Sequence, residues 1–376
     1  MPRTLVIIYL RVFRLLNPEE STFVLRKKNL PRRYVRRTKE VIIRIVVQAM
    51  SQSPIRFLRK PAVLVGLLAI TMSFFLFGRR DPSLLAIEPL PEAETARQLE
   101  GKQFLIVGGT KGIGAALARS LIKRGAEVTV TGRSKSEETP DKAEFIKSDV
   151  SLVKNAQDLV RTQLKGRVFD TVVFTVGIFS RSKLTRTPEG IEEDLAVSYL
   201  SRFVVANELI QANAIDGRKK VFIMGFPGQD IQPTNVEDIN FETTPYKQFP
   251  AHMNTVLFNE ALVYELAKRH PNLHVFGLNP GLIRTGIRDN VHGGESTFFG
   301  KILETIIGWT NIDVDSYAEK TLIPLMVTPK LDGKTALSFS QKGVEVRPGP
   351  WVSAEGNTQK VWEASEALVK KVTSST

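Results

Sequence analysis

The 376-residue chain has no cysteine and only four histidines. Without cysteine there is no disulfide, no thiolate zinc site and no cysteine nucleophile. The histidines are His252, His270, His274 and His292, and no pair stands at a convincing ligand spacing, because Pro271 breaks any helical link between His270 and His274. No metal site is expected. Acid is scarce at the N-terminus. Residues 1 to 60 carry fifteen Lys and Arg against Glu19, Glu20 and Glu40, so +12 of the net +13 lies there and the remainder is nearly neutral. A near-neutral bulk argues against a nucleic-acid groove on the folded part.

Charge is absent altogether from residues 61 to 78, "PAVLVGLLAITMSFFLFG". As a helix these 18 residues span roughly 27 Å, close to a bilayer core, and they are read as a transmembrane helix in competition with a buried core helix. Arg56, Arg59 and Lys60 precede the run and Arg79 and Arg80 follow it, so orientation stays open. The opening "MPRTLVIIYLRVFRLLNP" has Arg3, Arg11 and Arg14 but no acid before Glu19. That is the composition of a mitochondrial presequence or a membrane-surface helix, or of a poorly ordered basic tail. The expected organisation is a basic tail over 1–60, a membrane span over 61–78, a linker over 79–100 with Pro and Glu content, and one folded domain over 101–376. The expected location is a membrane crossed once, mitochondrial or endoplasmic reticulum.

A hydrophobic content of 42% is ordinary for a folded protein. From Gly101 short apolar runs alternate with helical periodicity. Strands are predicted at "QFLIV", "EVTVT", "AEFIK", "TVVFTV", "KVFIM", "LHVFGL" and "TALSFS", and helices over 112–123, 152–165, 190–214, 251–269 and 315–327. Strand and helix in alternation predict an α/β fold, a doubly wound parallel sheet of the Rossmann type covered on both faces.

Within "FLIVGGTKGIGAALARSLIKRGAEVTVTGRS" a strand, a glycine turn, a helix and a second strand follow in order. Gly108, Gly112 and Gly114 permit a tight turn, close approach to a pyrophosphate and packing of the helix on the sheet. The free amides at the helix start favour a phosphate. About 20 residues on, an NAD site would place an acid for the ribose hydroxyls, yet Gly132 and Arg133 stand there. With Lys111 in the glycine loop this offers positive charge to a 2′-phosphate, so NADP is the expected cofactor.

These residues resemble the short-chain dehydrogenase/reductase family over residues 101 to 376. The likeness is carried by Gly108, Gly112 and Gly114, by Asp149 and Val150 in "KSDVS", and by "NPGLIRT". The tail "QKVWEASEALV" is similar to the closing helix of the retinol dehydrogenase and WW-domain oxidoreductase branch. "VSYLSR", "GFPG" and "HMNTV" resemble a divergent fungal aldehyde-reductase-like group. The resemblance implies cofactor contacts from Thr110, Ile113, Asp149, Val150, Gly177, Pro280, Gly281 and Thr285, and homo-oligomers formed through the fourth and fifth helices.

The family's chemistry uses a Tyr and a Lys four residues apart, with a Ser and an Asn. Alignment on "YELAKR" places His252 on the Tyr position and Val256 on the Lys position. Gly225 or Phe226 takes the place of the Ser, Ser198 that of the Asn, and Thr175 stands in the Asn-Ala-Gly region. An imidazole near pKa 6.5 does acid-base work without the cation that a tyrosine near 10 needs. One reading is therefore an aldehyde or ketone reductase using His252, with Ser198 and Tyr246 as further candidate catalytic residues. The other is a cofactor-binding regulatory or scaffolding protein without turnover. Tyr199 and Lys247 are further substitute donors by proximity. Phe298, Phe299, Ile302, Leu303, Ile306 and Trp309, at helical spacing in the lid region 286–310, are read either as lining a lipophilic substrate pocket or touching a membrane, or as a helix packed on the sheet.

Overall fold

The structure is a computed structural model that describes residues 83–215, 217, 219–281 and 313–374. The expected tail and membrane span, the lid region and Thr285 lie outside the described residues. Among the described residues no helix is long and apolar enough to cross a membrane.

Eight strands form one sheet in the order β3-β2-β1-β4-β5-β6-β7-β8. They are β1 (Gln103–Val107), β2 (Glu127–Gly132), β3 (Glu144–Lys147), β4 (Thr171–Phe174), β5 (Lys220–Met224), β6 (His274–Leu278), β7 (Leu337–Phe339) and β8 (Glu345–Val346). All pairings are parallel except β7 with β8. The central runs "FLIV", "TVVF" and "VFIM" are apolar without alternation because helices cover both faces. Reversal of strand order between β1 and β4 opens the crevice at the strands' carboxyl ends where doubly wound folds bind ligands. This bears out the expected fold.

One face is covered by α1 (Glu92–Leu99), α2 (Gly112–Ile122) and α6, which runs over 314–327 with a π turn at Ala318–Leu322. The other face carries α3 (Val153–Asp158, continued by a π turn Leu159–Gln163) and α4, which runs over 193–211 with a π turn at Ala196–Leu200. It also carries α5 (Gln248–Arg269) and, after the short α7 (Pro350–Ser353), α8 (Asn357–Ser374). Basic residues Lys268 and Arg269 close α5, where they complement the negative end of the helix dipole, and Pro271 prevents its continuation.

The expectation of an open linker over 79–100 is corrected for its described part, residues 83–100. Pro and Glu suggested open chain, but α1 buries Thr95 and Leu99, and Ala86 bridges Val344 beside β8. The buried Arg124 guanidinium ties α1 to α6 through Glu92 at 2.9 Å and Glu319 at 2.7 Å. Those bonds hold its pKa above the ordinary arginine range, Glu319 contributing most.

Close packing of α2 on the sheet rests on small residues, Ala115, Ala116 and Ala118 being fully buried. A side chain on Gly114 would lie 2.6 Å from both Gly108 O and Thr175 Oγ1. Gly114→Ala is expected to destabilise the domain by about 1–3 kcal/mol. A urea-unfolding midpoint equal to that of the wild type would contradict this close approach.

Candidate active site

Two groups of residues meet at the carboxyl ends of the strands, one built from backbone and one from buried side chains. The backbone group lies between β1 and α2. Gly108 has φ +93°, and a Cβ there would lie 2.5 Å from Val176 N. Gly112 also adopts positive φ, and Gly132 sits where a Cβ would meet Thr110 at 2.7 Å. Thr175 Oγ1 donates to Gly108 O at 3.0 Å and so joins the glycine loop to the end of β4. The first helical amide, Gly112 N, already donates to a carboxylate oxygen, Glu138 Oε2, at 2.7 Å. The amide thus takes an anion, and the cradle has no room for side chains at Gly108 or Gly114. Both observations fit a phosphate-bearing nucleotide.

Around this loop, Ile113 and Gly114 are buried, Thr110 is half-buried, and Lys111 and Arg133 are exposed. Asp149 forms a turn that accepts from Ser151 N at 3.2 Å and Ser151 Oγ at 2.7 Å, and Val150 is buried behind it. Gly177 leaves space over Arg202 and Ser198. Pro280 is half-buried, and Gly281 has φ +67° with its amide donating to Asn279 Oδ1 at 2.9 Å.

The second group is centred on a residue that sequence reading missed, Asp194. It lies in the first turn of α4, is completely buried and accepts three hydrogen bonds. Ser180 Oγ donates to Oδ2 at 2.6 Å, Ser198 Oγ to Oδ1 at 2.5 Å, and His252 Nδ1 lies 2.8 Å from Oδ2. With the serines also donating, Nδ1 carries the proton, and the ring presents Nε2 away from the carboxylate. The His252 side chain keeps 20% exposure, and Phe179 packs on its ring with centroids 4.1 Å apart. His252 therefore combines a buried acceptor at Nδ1 with a side chain that is partly exposed.

The π turn in α4 shapes this centre. Within it the carbonyl of Ser198 accepts Asn259 Nδ2 from α5 at 2.8 Å. Ser198 Oγ is also the acceptor for Ile178 N at 3.0 Å, so this hydroxyl fixes the loop after β4 and is committed to Asp194. Four residues on, the buried Arg202 donates Nη2 to Val176 O at 2.5 Å and Nη1 to Met224 O, spanning the ends of β4 and β5. Burial pushes its pKa down to about 9, while the Asp194 charge pulls it up.

Of the other candidates, Tyr246 lies beside this group, near Ser180, Glu192 and Asp194. Tyr246 Oη donates to Arg181 O at 2.8 Å, and burial, with the nearby Glu192 carboxyl, pushes it up to about 12; its proton is committed to the backbone. Tyr199 is fully buried and bonds Ser365, and Val256 packs on the core. Lys247 is exposed, and Gly225 lies against Asn259 Cβ. Asp194 escaped notice because "EED" reads as an acidic first turn satisfying a helix dipole. In the structure Glu192 does the capping, accepting Leu195 N at 2.6 Å, and Asp194 points inward. The legible signal was the spacing of Asp194 and Ser198, four residues apart on one helical face.

The short chain dehydrogenase family profile matches residues 102–220. An uncharacterized oxidoreductase of Saccharomyces cerevisiae is 36% identical over 305 residues, 79% of this chain and 96% of the relative. Retinol dehydrogenase 14 of Mus musculus is 24% identical over 296 residues, 72% of this chain and 86% of the relative. Among solved structures, an uncharacterized Mycobacterium paratuberculosis protein shares the fold with a TM-score of 0.53 at 19% identity, over 73% of this chain and 97% of that one.

Burial pushes the Glu192 carboxyl up to about 7, and the neighbouring Asp194 and Glu193 charges add to the shift. With the folded pKa above the ordinary 4.5, this group's stabilisation is complete below about pH 4.5 and is lost as pH rises through about 7. Between those limits the wild type should lose on the order of 3 kcal/mol relative to Glu192→Gln, at about 1.36 kcal/mol per unit. Parallel unfolding free energies of the two proteins across this window would refute the assignment.

Proposed function

The chain belongs to the short-chain dehydrogenase/reductase family and is an oxidoreductase of that type, and on this premise we propose that it reduces an aldehyde or ketone with NADPH, His252 delivering the proton. The observation that carries the reading is the contact of His252 Nδ1 with the buried Asp194 carboxylate at 2.8 Å. Gly108, Gly112 and Gly114 would hold the pyrophosphate, and Lys111 and Arg133 would face a 2′-phosphate. A bound reduced nicotinamide supplies the hydride that attacks the carbonyl carbon.

The chain's own residues manage the proton. As negative charge grows on the carbonyl oxygen, an N–H at His252 Nε2 donates to it, and the proton passes to form the alcohol. Asp194 holds the ring through Nδ1, fixes its tautomer and stabilises the imidazolium from which the proton leaves. Ser180 and Ser198 are positioning residues that hold the Asp194 carboxylate through its two oxygens. Val256 supplies no ammonium where the family has lysine. Arg202 supplies a fixed positive charge behind the loop after β4, although it bonds backbone carbonyls and has no opening toward substrate.

His252→Ala is expected to lower kcat by roughly 10²- to 10⁴-fold, and Asp194→Asn to fall within the same range, with NADPH affinity retained in both. The check is NADPH oxidation over a panel of short and long aldehydes and ketones, with cofactor fluorescence titrated separately. Wild-type turnover in His252→Ala would remove the histidine from the mechanism. Bound NADPH without turnover on any carbonyl would favour a cofactor-binding protein that has lost the reaction. Anchoring through residues 61 to 78 and self-association belong to the same proposal, the first from composition and the second from the family likeness.

A further inference from the structure

The last helix packs across the two that carry the candidate site. On α8 the buried residues Val361, Trp362, Ser365 and Leu368 form one stripe, while Lys360, Glu363, Glu366 and Lys370 are exposed. Trp362 meets Phe203 of α4 edge-on with ring centroids 4.8 Å apart, and the Arg269 guanidinium of α5 lies 4.4 Å from the centre of the same ring. Thr358 Oγ1 donates to Glu265 Oε2 of α5 at 2.9 Å. Ser365 Oγ lies 2.8 Å from Tyr199 Oη of α4 and gives its own proton to Val361 O at 2.7 Å, so the tyrosine is the donor in this pair.

Covered in this way, α4 and α5 keep almost no outer surface. From Ser198 to Ala206 every residue of α4 is buried, and from Asn254 to Ala267 only Val256 and Tyr264 of α5 are partly exposed. Helices buried all round belong to the inside of a larger body, and here the chain supplies the outer layer itself. Without α8, Phe203 would lose its covering ring and the Tyr199 hydroxyl its acceptor. These are also the helices through which the family likeness implies self-association. The turn leading into α8 is exposed at Ala354, Glu355 and Gly356, with Gly356 at φ +77°, so the packed stripe holds the helix down.

We propose that α8 stands in for a second subunit: it fills the face of α4 and α5 that another copy of this chain would otherwise use, so the intact chain is closed to self-association there and opens only when α8 is lifted. Self-association proposed from the family likeness is thereby confined to other surfaces. A two-fold interface uses the same patch on both copies, so one α8 on each chain blocks it twice. A second copy reaches α4 and α5 only by breaking the Trp362 and Phe203 contact and the Tyr199 to Ser365 bond, and the outer side of α8 presents charge in place of the aromatic face beneath it. The inference concerns assembly and stands whether or not the chain reduces a carbonyl.

The full chain in detergent would be followed by sedimentation velocity over a wide range of concentration, with hydrogen exchange of α4, α5 and α8 read at both ends of that range. Slow exchange in all three helices, equal at both ends, is expected; association of the wild type with exchange unchanged places the contact elsewhere, as proposed. Protection of α4 and α5 that grows with concentration while α8 opens would mean that a second copy takes the face, and would overturn the proposal. Trp362→Ala combined with Leu368→Ala is expected to speed exchange of α8 by about tenfold or more and to produce a concentration-dependent dimer. Should that variant fail to fold, Ser365→Ala, which removes only the acceptor of Tyr199, is read in the same way with smaller changes expected. A folded variant whose α8 exchanges faster yet which sediments like the wild type at every concentration would also overturn it.

Discussion

The site depends on a carboxylate buried without access to water. A charge taken out of water is tolerated only where donors replace its hydration, and Asp194 has three: Ser180, Ser198 and His252. Each comes from a different part of the chain, so satisfying one side chain fixes the loop after β4, the π turn of α4 and the first turns of α5 relative to one another. Arg202, two turns further along α4, places a cation between the ends of β4 and β5 and offsets part of the same charge. Removing any of these partners would leave a buried group unpaired, which ties the geometry of the site to the stability of the domain.

This arrangement explains how a departure at all four family positions leaves a coherent centre. A tyrosine-based donor needs a neighbouring cation to be useful near neutral pH, whereas an imidazole titrates there unaided and instead needs orientation. Asp194 holds the His252 ring in one orientation through Nδ1, and Val256 offers no cation at the lysine position. The cofactor end follows another logic, in which glycine backbone, helix amides and charge placement do the binding. The two ends are joined at Thr175, whose hydroxyl holds Gly108 O while its strand leads into the loop of Ile178 and Ser180.

Covering helices on the two faces have unequal duties. On the α2 side, small residues bring the helix close, and the buried Arg124 fastens α1 and α6 around it. On the α4 side, polar residues enter the packing, including Asn259, Glu260 and Asp194, because that layer must carry side chains to the crevice. The polar layer is costlier to bury and more specific in its partners.

Much of this molecule follows from local sequence. Apolar runs of strand length between periodic helical segments determined the doubly wound sheet, because burial on both faces demands unbroken apolar strands. The glycine spacing determined the cofactor turn, since only glycine fits the positive φ at Gly108 and the contact at Gly114. His252 could be singled out by its place on a helix. Its partner could not be, for Asp194 is 58 residues away and one of three adjacent acids, and only the fold decides which of them caps a helix and which turns inward. Glu138 likewise carries no signal in the sequence, and tertiary contacts from Ser136 and Thr139 to Thr110 bring its carboxylate to the Gly112 amide. Sequence fixes what depends on backbone freedom and periodic burial, whereas the pairing of distant charged groups is decided by packing, where desolvation makes one arrangement of donors far better than the rest.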